Sequence, residues 1–222
     1  MTLATLLAPA IEPRAQPTNH IKEKMTNAGK SIKNAIPAFL VSSLFVVLLS
    51  ACGGVENEYS DIRCYCIINN GNHQDPTLAS AMNAAAPGVF CKIRTTYQSG
   101  ASYFSFENNQ GLSSQSRFDG EDQRRSVIVG LNNSLIVGFS NESLPAKFYA
   151  YDGECPNCFD YSAIPVRSHP LVMTSDGLAR CNTCQRSYAL NNLGRVSAGD
   201  GGKKLTPYYA SCTGPYGVLS VQ

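Results

Sequence analysis

Two C-x-x-C pairs, Cys155-Pro156-Asn157-Cys158 and Cys181-Asn182-Thr183-Cys184, constrain this chain more than any other stretch. A C-x-x-C on a tight turn aims two sulfurs at one point. Two such turns face to face make a tetrahedral all-thiolate cage, which suits zinc or a single iron. The segment from Phe159 to Arg180 that separates the pairs is close to the spacing of about 15–20 residues read as a metal site. Pro156 fixes one φ and stiffens the first turn. Cys155, Cys158, Cys181 and Cys184 are therefore expected to bind one metal, zinc before iron. The alternatives are a redox dithiol or two local disulfides, Cys155–Cys158 and Cys181–Cys184, which would leave the two turns uncoupled.

Residues 35–51 form an apolar run preceded by Lys30 and Lys33. This is the pattern of a secretory signal, too short and too serine-interrupted for a spanning helix. It ends in Leu49-Ser50-Ala51-Cys52-Gly53, which resembles the lipobox of bacterial lipoproteins. The resemblance implies cleavage before Cys52 and acylation of its thiol and new amino group, by palmitate or similar chains. A simple membrane anchor with an incidental cysteine is the alternative. A signal beginning at Met25 has an ordinary length, so the residues before it read as an over-extended start. The expected organisation is a signal over residues 1–51, a lipid tether over 52–60, a β-rich region with one short helix over 61–134, and a four-cysteine domain over 135–222.

The net charge of +2 belongs partly to the signal. Removing residues 1–51 takes five of the 18 basic and two of the 16 acidic residues, leaving 13 and 14, a formal −1. No polybasic patch remains for nucleic acid or anionic lipid. Membrane attachment then rests on acyl chains, each buried CH₂ contributing about 0.8 kcal/mol. The expected location is the bacterial cell envelope, as an outer-membrane lipoprotein facing the periplasm or the surface. Its expected partner is the membrane, through the lipid. Only 15% of residues are charged, against about 25% in an average globular protein, which excludes a charge-solvated disordered chain. No Ser/His/Asp spacing, P-loop or GxGxxG supports an enzyme.

Short apolar and aromatic stretches between turn residues predict an all-β, mainly antiparallel fold with one short helix. Strands are expected at 63–68, 89–97, 103–106, 147–151, 205–211 and 218–221. Asn69 to Asn72 reads as a turn, and Asp75-Pro76 as the start of a helix that Pro87-Gly88 ends. Residues 108–121 read as a polar loop. Three hairpins are predicted: 127–131 with 135–139, 171–173 with 178–180, and 188–190 with 195–196.

From Leu135 onward the order is a strand, Tyr151-Asp152, Cys155-Pro156, a hairpin, the second cysteine turn, Tyr188 to Val196, Gly199 to Gly202, and Leu205-Thr-Pro-Tyr-Tyr209. This order resembles the Rieske iron–sulfur fold, a β-sandwich with two metal-binding loops, in which a cysteine and a histidine on each loop hold a [2Fe–2S] cluster. Cys155 and Cys181 match its cysteines. Asn157, followed by Cys158, and Cys184 stand where its histidines would be. The high-potential chemistry depends on those histidines. The ligand set that remains resembles rubredoxin or a zinc ribbon. A structural or binding module built on zinc is the first functional expectation. Electron transfer through rubredoxin-type iron or a Rieske-like [2Fe–2S] centre is the second.

Cys64, Cys66, Cys91 and Cys212 are left over. Outside the cytoplasm an even remainder reads equally as disulfides or as small buried thiols. Cys64 and Cys66 are not expected to pair with each other. His73 reads as a turn residue and His169 as a surface-loop residue rather than an outer ligand. Asp152, Glu154, Asp160 and Asp176, near the cysteine turns, are expected to face water.

Overall fold

Alternation along the central strands decides the architecture. In β5 (Leu135–Phe139), Leu135 and Val137 enter one buried core while Ile136 enters another, so both faces of the strand are covered. β2 (Phe90–Gln98) repeats the pattern, with Cys91 and Ile93 in the first core and Phe90 in the second. The computed structural model describes residues 59–222; the apolar run, Cys52 and most of the tether lie outside the described residues. Among the described residues no helix is long and apolar enough to cross a membrane.

β3 (Ala101–Asn108), β4 (Ser113–Arg117), β6 (Phe148–Asp152) and β11 (Pro207–Tyr208) join β2 and β5 in a six-stranded antiparallel sheet ordered β11-β6-β5-β2-β3-β4. β1 (Cys66–Asn69), β13 (Val218–Val221) and β12 (Ala210–Cys212) form a three-stranded sheet in that order. It supplies Cys66, Ile68, Leu219 and Val221 to the first core. β7 (Leu171–Met173), β8 (Leu178–Cys181), β9 (Ser187–Ala189) and β10 (Arg195–Ala198) form a four-stranded sheet, which gives Leu171, Ala179, Cys181 and Tyr188 to the second core. Each such aliphatic side chain fully buried contributes about 1.5–3 kcal/mol. Strands from before and after Ser134 share sheets, since β2 pairs with β5 and β1 with β13.

The expected all-β antiparallel fold is the one that forms, with four local corrections. Asn69 to Asn72 does not make a simple turn but leads into a one-turn helix, α1 (Asn70–His73), in which the Asn69 side chain accepts from Gly71 N at 3.1 Å. α2 (Pro76–Ala81) begins as expected, with Asp75 Oδ1 accepting from Leu78 N at 2.9 Å. It stops before Ala84 to Ala86, because Asn83 Oδ1 takes Ala85 N at 3.0 Å and Ala86 precedes a proline. Residues 127–131 are not the arm of a hairpin. Ile128 makes one isolated bridge to Tyr65, then Gly130 at φ +60° turns the chain away. The expected loop over 108–121 contains β4, a polar strand paired to β3.

All eight described cysteines are free thiols. Cys64, Cys66 and Cys91 are buried in the first core, and Cys212 packs against it. Cys64 and Cys66, two apart on an extended chain, share its inner face. Burial pushes the Cys64 thiol up to about 11 and those of Cys66, Cys91 and Cys212 upward as well. They behave as small apolar side chains.

Candidate metal centre

Asp152, the last residue of β6, fixes where the first cysteine turn begins. Its buried carboxylate accepts from Leu131 N at 2.6 Å, Glu154 N at 2.8 Å and Tyr208 Oη at 2.8 Å. Burial raises this carboxyl above its ordinary range, and those three donors oppose the rise. Gly153 follows because any Cβ there would collide with the Ser134 side chain. Cys155 N donates to His169 O at 3.0 Å and Leu171 N to Gly153 O at 2.8 Å, which ties the turn to the chain entering β7. Within the turn, Cys155 O accepts from Cys158 N at 3.1 Å and Phe159 N at 2.9 Å.

The second turn joins β8 to β9. Cys181 N donates to Arg186 O at 3.0 Å, and Cys181 O accepts from Gln185 N at 3.0 Å. Gln185 takes φ +59°, which closes the turn. In both turns the first cysteine's carbonyl accepts from the amide just after the second cysteine, Phe159 N in one and Gln185 N in the other.

The two turns meet. Cys155 Sγ lies 3.7 Å from Cys184 Sγ and Cys158 Sγ 3.8 Å from Cys181 Sγ, and all four sulfurs fall within 4.8 Å of one another. A tetrahedron with metal–sulfur bonds of about 2.3 Å has edges of about 3.8 Å. The donor set and its spacing therefore suit one thiophilic ion, and the four cysteines read from the sequence can hold a metal. Cys155 and Cys181 are buried, whereas Cys158 and Cys184 are half-exposed, so one edge of the centre faces outward.

Electrostatics divide the thiols. Burial raises the pKa of Cys155, with the Tyr188 hydroxyl opposing it, and burial together with the neighbouring thiols raises that of Cys158. At Cys184 burial also resists ionisation, but hydrogen bonds from the Arg186 backbone and guanidinium, together with neighbouring thiols, bring it down to about 6. A bound cation would favour ionisation of all four thiols.

Two residues that supply no sulfur, Asn157 inside the first turn and Tyr188 on β9, complete the centre. Asn157 Nδ2 donates to Tyr188 Oη at 2.9 Å, which leaves the Tyr188 hydroxyl free to donate to Cys155 Sγ at 3.1 Å. Asn157 also exchanges hydrogen bonds with the Lys203 backbone, at 2.9 Å to its oxygen and 3.0 Å from its nitrogen. Asn157, at the position of a Rieske histidine, is thus a clamp between the turn and the Lys203 segment. No motif spacing singles out Tyr188, since its part arises from β9 lying beneath the first turn. His169 Nδ1 sits 3.0 Å from Thr183 Oγ1 and takes no place in the sulfur group.

The acidic residues divide against expectation. Asp152 and Glu154 are buried, Glu154 accepting from Asn132 Nδ2 at 2.8 Å, Ser168 Oγ at 2.7 Å and His169 N at 2.5 Å. Asp160 and Asp176 face water. Tyr188→Phe should keep the ring packed and remove only the bond to sulfur. An expected loss of about tenfold in metal affinity follows, measured by chelator competition, with the fold unchanged.

No family model, no curated protein and no solved structure matches this chain.

Proposed function

We propose that the chain is a lipid-anchored, extracytoplasmic protein of a bacterial envelope, and that its four cysteines hold one zinc ion as the structural cross-link of a binding module. The observation that carries the metal reading is the sulfur group, with edges of 3.7 and 3.8 Å. All four sulfurs lie within 4.8 Å of one another, which supports a single ion over a two-iron core interposed between separated thiolate pairs. Zinc is preferred because it is redox-inert and ties two turns of a small sheet without further chemistry. The Rieske likeness is proposed for the order of elements: one loop after β6, the other between β8 and β9.

Electron transfer through a rubredoxin-type iron is the second reading. It is favoured by the Tyr188 hydroxyl on Cys155 Sγ and by the half-exposed Cys158 and Cys184, since hydrogen bonding and solvent exposure at sulfur tune such centres. Elemental analysis and a visible spectrum of protein purified from its native membrane separate the two. One zinc per chain and no colour is the expected result. One iron per chain with thiolate-to-iron absorption establishes the second reading, and neither metal near one per chain overturns both.

A further inference from the structure

Outside the cysteine centre, one imidazole and two carboxylates converge. His73 ends α1, Asp119 lies in the loop after β4, and Asp122 opens a 3₁₀ turn (Asp122–Arg124). One ligand atom from each falls within 4.8 Å of the other two. The His73 and Asp122 side chains are each only 2% exposed.

His73 Nδ1 is engaged, 2.7 Å from Ser116 Oγ. Nε2 lies 3.1 Å from Asp122 Oδ2, in ion-pair contact but without the direction of a hydrogen bond. A buried imidazole nitrogen thus faces the Asp122 carboxylate, with the Asp119 carboxylate close by, and no well-directed hydrogen bond fixes it there. Two ligand atoms bound at about 2.1 Å and roughly 90° to one another lie about 3 Å apart, so this separation is also that of neighbouring ligands on one ion.

The carboxylates are oriented by other donors. Asp119 Oδ1 accepts from Glu121 N at 2.7 Å and Asp122 N at 2.9 Å, Asp119 Oδ2 from Asn72 Nδ2 at 2.8 Å, and Asp122 Oδ2 from Asp119 N at 2.9 Å. Supporting hydrogen bonds of this kind hold metal ligands in place. Asp119 is half-exposed, which gives an ion and its waters a way in.

We propose that His73, Asp119 and Asp122 form a second metal site, independent of the cysteines, which takes a divalent transition-metal ion of the zinc class. One imidazole nitrogen favours such an ion over calcium or magnesium, and two carboxylates with water distinguish the site from the all-sulfur centre. The ion ties α1 to the segment that follows β4.

The test uses the intact chain, reduced, given one equivalent of Zn²⁺ and then further equivalents. Zinc per chain is counted after desalting, and the His73 ring nitrogens are followed by ¹⁵N NMR. The expected result is two zinc per chain and a large shift of His73 Nε2, with His169 unmoved. Asp119→Asn and His73→Gln should each drop the count to one. If the cysteines bind nothing, the parent chain holds one zinc and His73 Nε2 still shifts, so the two readings fail separately. An Nε2 resonance that stays in place through several equivalents overturns the second site, as does retention of two zinc by both variants. The NMR readout needs no substitution, so a variant that fails to fold leaves the test intact.

Discussion

Replacing any one of Cys155, Cys158, Cys181 or Cys184 by Ser is expected to strip the metal from the chain and loosen the segment from Gly153 to Leu205. Structural zinc in small sites contributes about 10–16 kcal/mol of apparent binding energy, so losing one of four ligands costs about 3 kcal/mol or more. Against a total stability of about 5–15 kcal/mol, that is a large fraction. The local structure explains why the loss should be concentrated. Strands β7 to β10 are three or four residues long, and their core residues Leu171, Ala179 and Tyr188 share one cluster with Cys155 and Cys181. The first core, around Ile93, Phe104 and Val137, contains none of the four cysteines. Hydrogen exchange should therefore show amides of β7 to β10 losing protection while β2 and β3 keep theirs, and a chelator added to the parent chain should reproduce the effect. Similar losses at all four positions are expected. If reductant rather than chelator loosens this sheet, the two turns are held by local disulfides and the metal reading goes.

What the sequence made legible follows physical lines. The β7–β8 hairpin could be read because Thr174-Ser175-Asp176-Gly177 is strong turn chemistry, and Gly177 does take φ +78°. The β9–β10 hairpin could be read from Asn191 to Gly194, where Leu193 and Gly194 both adopt positive φ. Residues 127–131 misled because a short apolar run looks the same whether or not it pairs. Here the Leu131 amide goes to Asp152 rather than to a neighbouring strand, and only long-range packing decides that. β4 was invisible for the opposite reason. Ser113 to Arg117 has no apolar alternation, and its strand character comes from lying against β3 at the edge of the sheet.

The same division holds at the site. The four cysteines declared themselves by spacing, whereas Tyr188 and Asn157 act through contacts across 31 residues of chain that no local pattern encodes. The burial of Asp152 and Glu154 was hidden likewise, because acidic residues beside a turn are usually solvated. Their partners, Leu131, Tyr208, Asn132, Ser168 and His169, come from three separate segments. His73 looked like an ordinary turn residue because Asp122, its neighbour at 3.1 Å, lies far along the chain.

Cys52→Ser carries the other large expected effect. On the proposed reading, this cysteine supplies the thiol and, after cleavage, the amino group that carry the acyl chains. A single chain binds a bilayer only marginally, with an association constant of about 10⁴ M⁻¹, and stable anchoring needs a second signal. Serine at this position removes the site of both. The chain after Ala51 has a formal charge of −1, and among the described residues no helix is long and apolar enough to cross a membrane. The variant should therefore leave the membrane fraction almost completely or accumulate with its leader uncut. In either case its mass should lack the acyl chains that the parent carries. The simpler alternative, an uncleaved apolar anchor with an incidental cysteine, makes the opposite forecast: Cys52→Ser would partition into membranes as the parent does, with a mass differing only by the exchanged side chain. That pair of observations, fractionation and intact mass on the same preparation, would end the lipoprotein reading.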